Sequence, residues 1–207
     1  MNYCIAGIHT GIGKTVCSAI ICQALGYDYW KPVQAGDLDN SDSIFIKNNV
    51  SNPLCNIHAE RFKLLTPASP HYAAELENIQ IKKEDFSLPA TWNNLIVETA
   101  GGLLSPLSDN FLNIDLIEHL RLPVVLVSNN YLGSINHTLL SYNALKDKNI
   151  PVSGIVFVGE KVVSSERFIL KYTRLPKLFS IPVLTSLNKQ SIGEFVLKND
   201  IKLSNNE

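Results

Sequence analysis

No apolar stretch in this sequence approaches the roughly 18 residues that would cross a bilayer, so no transmembrane helix is expected. Charge of one sign is also missing. Eighteen Lys and Arg stand against 19 Asp and Glu, and the net charge of −1 leaves no footprint for nucleic acid or an acidic membrane. Nor do the charges gather into runs. Cysteine is sparse. Cys4, Cys17, Cys22 and Cys55 form no C-x-x-C pair, and three of them lie in apolar surroundings. These are expected to be reduced core thiols of a cytoplasmic protein rather than a disulfide framework. No basic segment precedes the first apolar residues, which run only to Gly7, so a signal peptide is not expected. The sequence shows neither an internal repeat nor a low-complexity tract. What is left is 207 residues that suit one α/β domain over 1–207, with a polar tail from about 202 that is expected to fray.

Against these absences stands one dense feature near the N-terminus. Tyr3-Cys4-Ile5-Ala6 reads as a buried strand, and Thr15 to Leu25 reads as a helix. Between them lies Gly7-Ile8-His9-Thr10-Gly11-Ile12-Gly13-Lys14-Thr15, followed by Val16. Glycines in such a loop let backbone N–H groups turn inward around phosphate oxygens, and the helix N-terminus adds positive potential. Lys14 can reach the outer phosphates, and the Thr15 hydroxyl can ligate Mg2+. The usual spacing is G-x-x-x-x-G-K-[ST]. Here Gly7 comes one residue early and Ile8 takes the first glycine position, so the loop is a variant.

Further on, apolar runs of strand length alternate with helical patterns. Leu95-Ile96-Val97, Pro123 to Val127 and Val152 to Val158 read as strands, and Ile114 to Arg121 and Ile135 to Lys146 read as helices. Strands apolar on both faces belong in a parallel sheet covered by helices, which predicts a doubly wound, P-loop-like α/β fold. Leu54 to Ala90 is weaker in pattern, carries several prolines, and reads as an excursion.

Ligands in such sheets bind where strands end. Glu98 ends the strand at Val97 and precedes Thr99-Ala100-Gly101-Gly102. A carboxylate there can hold Mg2+ directly or through water. Lys31 follows Tyr29-Trp30. It reads either as a surface lysine, which spacing alone favours, or as a charge beside a transferring phosphoryl group. Asp42, in Asn40-Ser41-Asp42-Ser43, reads as a helix cap or as a third Mg2+ ligand. Gly133 and Ser134 read equally as a plain helix cap or as the start of an anion-binding helix. His9 and His137 have no Ser/His/Asp or metal-cluster spacing around them and are expected to be structural or peripheral.

Taken together these blocks resemble dethiobiotin synthetase, an ATP-dependent family of the biotin pathway. The resemblance rests on Gly7 to Thr15, Lys31-Pro32-Val33, Asn40-Ser41-Asp42, Ser69-Pro70-His71, Val97-Glu98 and Ala100-Gly101-Gly102. It extends to Ser105-Pro106-Leu107-Ser108-Asp109, Leu132-Gly133 and Ile135-Asn136-His137, in the family's order. It implies that 7,8-diaminopelargonate takes up CO2 as a carbamate, that the carbamate attacks ATP, and that the second amine closes a ureido ring. Lys14, Lys31 and Thr10 would carry catalysis, and Thr15, Asp42 and Glu98 would surround Mg2+. The nucleotide would lie on Gly11, Ile12, Gly13, Lys14, Thr15 and Val16. It would also meet Asp42, Glu98, Thr99, Ala100, Gly101 and, loosely, Pro182, Val183 and Leu184. Lys31 would also contact the substrate. Gly133, Ser134, Ile135 and Asn136 would hold its carboxylate from a neighbouring subunit, which implies a homodimer.

The chain departs from the family pattern at several positions. His9 replaces an Asp, Gly11 a Glu, and Ala35 a substrate-contacting Ser. Thr99 replaces a Gly, and Val158-Gly159 replace an Asn-Asp pair that reads adenine. Loss of that pair implies weak preference among nucleoside triphosphates. Other readings share the P-loop class. A MinD/ParA-type switch would carry a lysine where His9 stands, together with a basic amphipathic membrane helix. A cobyrinate-type amidating ATPase would carry a glutaminase. A degenerate member would bind nucleotide without catalysis.

Overall fold

The computed structural model describes residues 1–203; the last four residues of the polar tail lie outside the described ones. The first apolar run forms β1 (Tyr3–Gly7), with every residue buried. It is followed by α1 (Lys14–Leu25), β2 (Asp28–Trp30), β3 (Val33–Ala35), α2 (Asp42–Asn49), β4 (Ile57–His58), β5 (Phe62–Leu64) and α3 (Pro70–Leu76). The middle of the chain gives β6 (Leu95–Glu98), β7 (Pro106–Ser108), β8 (Phe111–Leu112), α4 (Asn113–Leu120) and β9 (Val124–Asn129). Then come α5 (Ser134–Asp147), β10 (Val152–Val158), α6 (Val163–Thr173), β11 (Lys177–Ile181) and α7 (Lys189–Lys198).

Seven strands make one sheet in the order β11-β10-β9-β1-β6-β2-β4, and every pairing in it is parallel. The chain moves from β1 toward β2 and β4, then reverses and moves from β6 toward β9, β10 and β11. Right-handed crossovers in opposite directions put helices on opposite faces. Accordingly α1 packs against α2 and α7, and α5 packs against α6. Ile5, Ile96, Val125 and Ile155 are wholly buried at the centre. Each such side chain contributes about 1.5–3 kcal/mol by leaving water.

The sheet and helices agree with the α/β, P-loop-like expectation. The helices expected at 15–25, 114–121 and 135–146 begin one residue earlier, and the second ends one earlier at a left-handed Arg121 (φ 54°). The 54–90 segment is more than an excursion. Its two-residue β4 forms the sheet edge beside β2, and β5 pairs in parallel with β3. Strands this short carry no periodicity. Among the described residues no helix is long and apolar enough to cross a membrane. All four thiols are free, with Cys55 only partly buried.

Candidate active site

The loop after β1 is built around what Gly7 lacks. A Cβ there would stand 2.9 Å from Ile12 Cδ1, 3.0 Å from Lys14 Cδ and 3.1 Å from the His9 carbonyl oxygen. The early glycine thus lets the Lys14 stem fold back over the strand end. Gly11 and Gly13 take left-handed φ of 68° and 95°, and Gly13 opens α1 with no side-chain cap and no acidic residue in the first turn. The free N–H groups and the helix dipole are left for an anion. Lys14 Nζ donates to the His9 carbonyl at 3.2 Å. Burial lowers its pKa to about 8, against the pull of Glu98 and with a further push from Lys31.

Glu98 is the hub of the site and is wholly buried. Its Oε2 accepts hydrogen bonds from Ser18 Oγ at 2.7 Å and Tyr29 Oη at 3.0 Å. Thr15 Oγ1 lies 2.8 Å from Glu98 Oε1 and 2.6 Å from Asp42 Oδ1. One hydroxyl proton cannot serve both carboxylates. Two carboxylates and a hydroxyl converging at this spacing are a hard-cation donor set, and they fit Mg2+. No group of three or more His, Cys, Asp or Glu among the described residues offers another metal site. Asp42 is the first residue of α2, and the cap is Ser41, whose Oγ accepts from Ile44 N. That frees the Asp42 carboxylate to pair with Lys31 Nζ. Lys31 is buried rather than a surface lysine. Burial lowers its pKa, opposed by Glu98 and Glu60.

Two cavities meet at these side chains. One, of about 150 Å³, is lined by Thr10 through Thr15 with Lys31, Asp42, Glu98 and Gly101. The other, of about 450 Å³, is lined by Gln34, Ala35, Ala68 to Pro70, Ala100 and Ser105. Thr10, Lys31, Asp42 and Gly101 belong to both walls. A phosphate in the first cavity and a small molecule in the second would therefore share one boundary.

Other expected residues fall elsewhere. Thr99 is buried and donates through Oγ1 to the Ile5 carbonyl at 3.3 Å, and Val16 packs on the core; neither lines the two cavities. Gly133 to Asn136 open α5 and line neither cavity. Pro182, Val183 and Leu184 follow β11, next to the end of β10, where Val158 packs on the loop. A Cβ on Gly13 would lie 3.0 Å from Val158 Cγ1. His9 Nδ1 donates to the Thr10 carbonyl at 2.8 Å, and His137 pairs with Tyr131 Oη at 2.6 Å. Both are peripheral to the hub. The residue reading missed Ser18, Tyr29 and Gln34. Ser18 lies one helical turn after Lys14, and Tyr29 lies in β2 two residues before Lys31, which follows the strand; this spacing was the only signal.

Residues 1–191 match a family profile described as an AAA domain. The chain is 41% identical over 195 residues to the ATP-dependent dethiobiotin synthetase BioD of Brucella ovis, covering 94% of this chain and 92% of that protein. The same-named protein of Brucella abortus is 40% identical over the same shares. Among solved structures, a ParA family ATPase from Chlorobium tepidum superposes with TM-score 0.54 at 14% identity, over 96% of this chain and 100% of that one. The MinC:MinD cell division complex of Aquifex aeolicus gives 0.55 at 14% over 97% of each chain. At such identities these neighbours share the fold alone. Identity of about 40% along nearly the whole chain, with the P-loop and its carboxylates in order, is of another kind: the chain belongs to the dethiobiotin synthetase family of ATP-dependent ligases.

Proposed function

We propose that this protein converts 7,8-diaminopelargonate, CO2 and ATP to dethiobiotin, ADP and phosphate. The observation that carries the reading is the shared wall of Thr10, Lys31, Asp42 and Gly101 between the phosphate-sized and substrate-sized cavities. A carbamate formed on one amine presents its oxygen to the γ-phosphorus across that wall. Attack forms the O–P bond, breaks the bond to ADP, and yields a carbamic–phosphoric anhydride. The second amine then attacks the carbonyl carbon, phosphate departs with the C–O electron pair, and the amine loses a proton. Both nucleophiles belong to the substrate, so the protein's task is positioning and charge neutralisation. Lys14 grips the phosphates. Lys31 leaves Asp42 to bind the carbamate and the transferring phosphoryl group, with the Thr10 hydroxyl beside it. Thr15, Asp42 and Glu98 would hold Mg2+, which when bound neutralises phosphate charge.

The helix start at Gly133 to Asn136 is assigned to the substrate carboxylate of a neighbouring copy. Exposed Leu104 and Leu140 beside a cavity lined by Ile8, Leu103 and His137 support burial of that face in a homodimer. Incubating pure protein with diaminopelargonate, bicarbonate, Mg2+ and nucleoside triphosphate, with mass spectrometry of the product, tests the reaction. Absence of dethiobiotin from a folded preparation refutes it. Sedimentation tests the dimer: a monomer at assay concentration refutes the shared site. The switch-ATPase reading loses to the family membership, and His9 supplies no constant charge in place of the switch lysine.

A further inference from the structure

The wall of the larger cavity includes Gln34, a polar residue that the ring-closure scheme does not use. Gln34 lies in the middle of β3 and is 7% exposed. Its Nε2 donates to the Gly36 carbonyl at 2.9 Å. That bond sets the orientation of the amide, because the flipped form would press two carbonyl oxygens together. The anchor is itself held: Gly36 has φ 70°, and a Cβ there would stand 2.4 Å from Pro67 Cα. The segment after Pro67 carries Ala68, Ser69 and Pro70, which also line the cavity. Gln34 Oε1 is buried and has no partner among the described residues. A buried carbonyl without a donor is costly, and a ligand N–H in the adjoining cavity is a group that could supply one. The next residue, Ala35, provides no hydroxyl to the same wall.

We propose that Gln34 Oε1 accepts a hydrogen bond from an amine N–H of the substrate, and so reads one of its two nitrogens. This rests on the ring-closure reading above. The chemistry suits an amide better than a carboxylate. Ring closure needs the attacking amine neutral. A carboxylate would stabilise its ammonium form and withhold the lone pair, whereas a carbonyl orients the N–H and leaves the nitrogen's basicity nearly unchanged. Asp42, the carboxylate in this wall, pairs with Lys31 and Thr15 in the ligand-free structure and is assigned to Mg2+ in the ring-closure scheme.

The test crosses the side chain with the substrate. Calorimetry measures binding of diaminopelargonate and of the two monoamines, 7-aminononanoate and 8-aminononanoate, to wild-type protein and to Gln34→Met. The variant should bind the diamine about tenfold more weakly, the loss of one buried hydrogen bond. It should bind the monoamine lacking the recognised nitrogen as tightly as wild type does, with ATP affinity unchanged. Equal weakening for all three amines, or for none, overturns the assignment. If Gln34→Met fails to fold, Gln34→Glu keeps an acceptor, should tighten ammonium binding, and should move the pH–rate profile to higher pH. An unmoved profile overturns it as well. Binding of the diamine without any product overturns the ring-closure reading but leaves the cycle readable. Absence of amine binding altogether overturns both.

Discussion

Replacing Glu98 by Gln separates charge from shape at the centre of the site. The amide can keep its carbonyl toward Ser18 and Tyr29, which now donate at 2.7 and 3.0 Å, and turn its NH2 toward Thr15, whose proton is free for Asp42. Bonds to a charged acceptor are worth about 1.5–3 kcal/mol and neutral ones about 1, so the variant should lose about 1–2 kcal/mol of stability and remain folded. The effect on nucleotide is opposite in sign with and without Mg2+. Without metal, removing a negative charge beside the phosphate cavity relieves repulsion of about 1 kcal/mol after screening, so ATP should bind about fivefold tighter in EDTA. With metal, one donor carboxylate is gone, and turnover should fall by about 100-fold. Calorimetric titration of ATP with and without MgCl2, beside phosphate release, reads both signs. Weaker metal-free binding, or undiminished Mg2+ stimulation, would show that Glu98 is a structural carboxylate and refute the donor-set argument.

Lys31→Ala should lower turnover by more than it lowers ATP affinity, because Lys31 serves the wall between the cavities and not the phosphate loop; equal losses in a kinetic and calorimetric comparison would reduce it to a binding residue. With Val158 in place of a side-chain amide at the end of β10, ATP, CTP and GTP should compete within about tenfold of one another, and Val158→Asn should widen the gap in favour of ATP; strong adenine preference in wild-type competition binding contradicts this. At the opposite end of the sheet, burial would raise the Asp28 carboxyl, but bonds from Thr91, Asn56, His58 and Asn93 outweigh it and hold its pKa below the ordinary value. A depressed pKa contributes stability that is complete above the unfolded value of about 3.9 and is lost as pH falls through the folded one. Asp28→Asn should therefore be less stable at neutral pH and flatter on the acid limb of a denaturation series; an unchanged acid limb would locate the acid sensitivity elsewhere.

Much of the fold was legible because the central strands are buried on both faces. Continuous apolar runs such as Val124 to Val127 mark a covered parallel strand without any tertiary information. The glycine-rich loop was legible for a similar reason, since its chemistry is local and contiguous. Legibility failed where an element is short or where a partner is far away in sequence. The two residues of β4 have no period, and their place at the sheet edge depends on β2 beside them. Ser18 reads as an ordinary helix residue until Glu98, 80 positions away, is seen to accept from it.

The sequence by itself determined a P-loop on a parallel α/β sheet, and the ordered motifs determined the family. Both are carried by local pattern: burial on two faces, glycines at left-handed positions, a Lys-Thr pair at a helix start. Only the tertiary structure decided where the scattered side chains lie and what they pair with. Lys31 is buried and paired because α2 brings Asp42 to it, and Asp42 is released for that role because Ser41 takes the helix cap. The unpartnered Oε1 of Gln34 is likewise visible only in the fold, where the side chain is buried and its Nε2 is engaged by Gly36. Charge pairing and desolvation depend on distances across the fold, and spacing along the chain does not encode them.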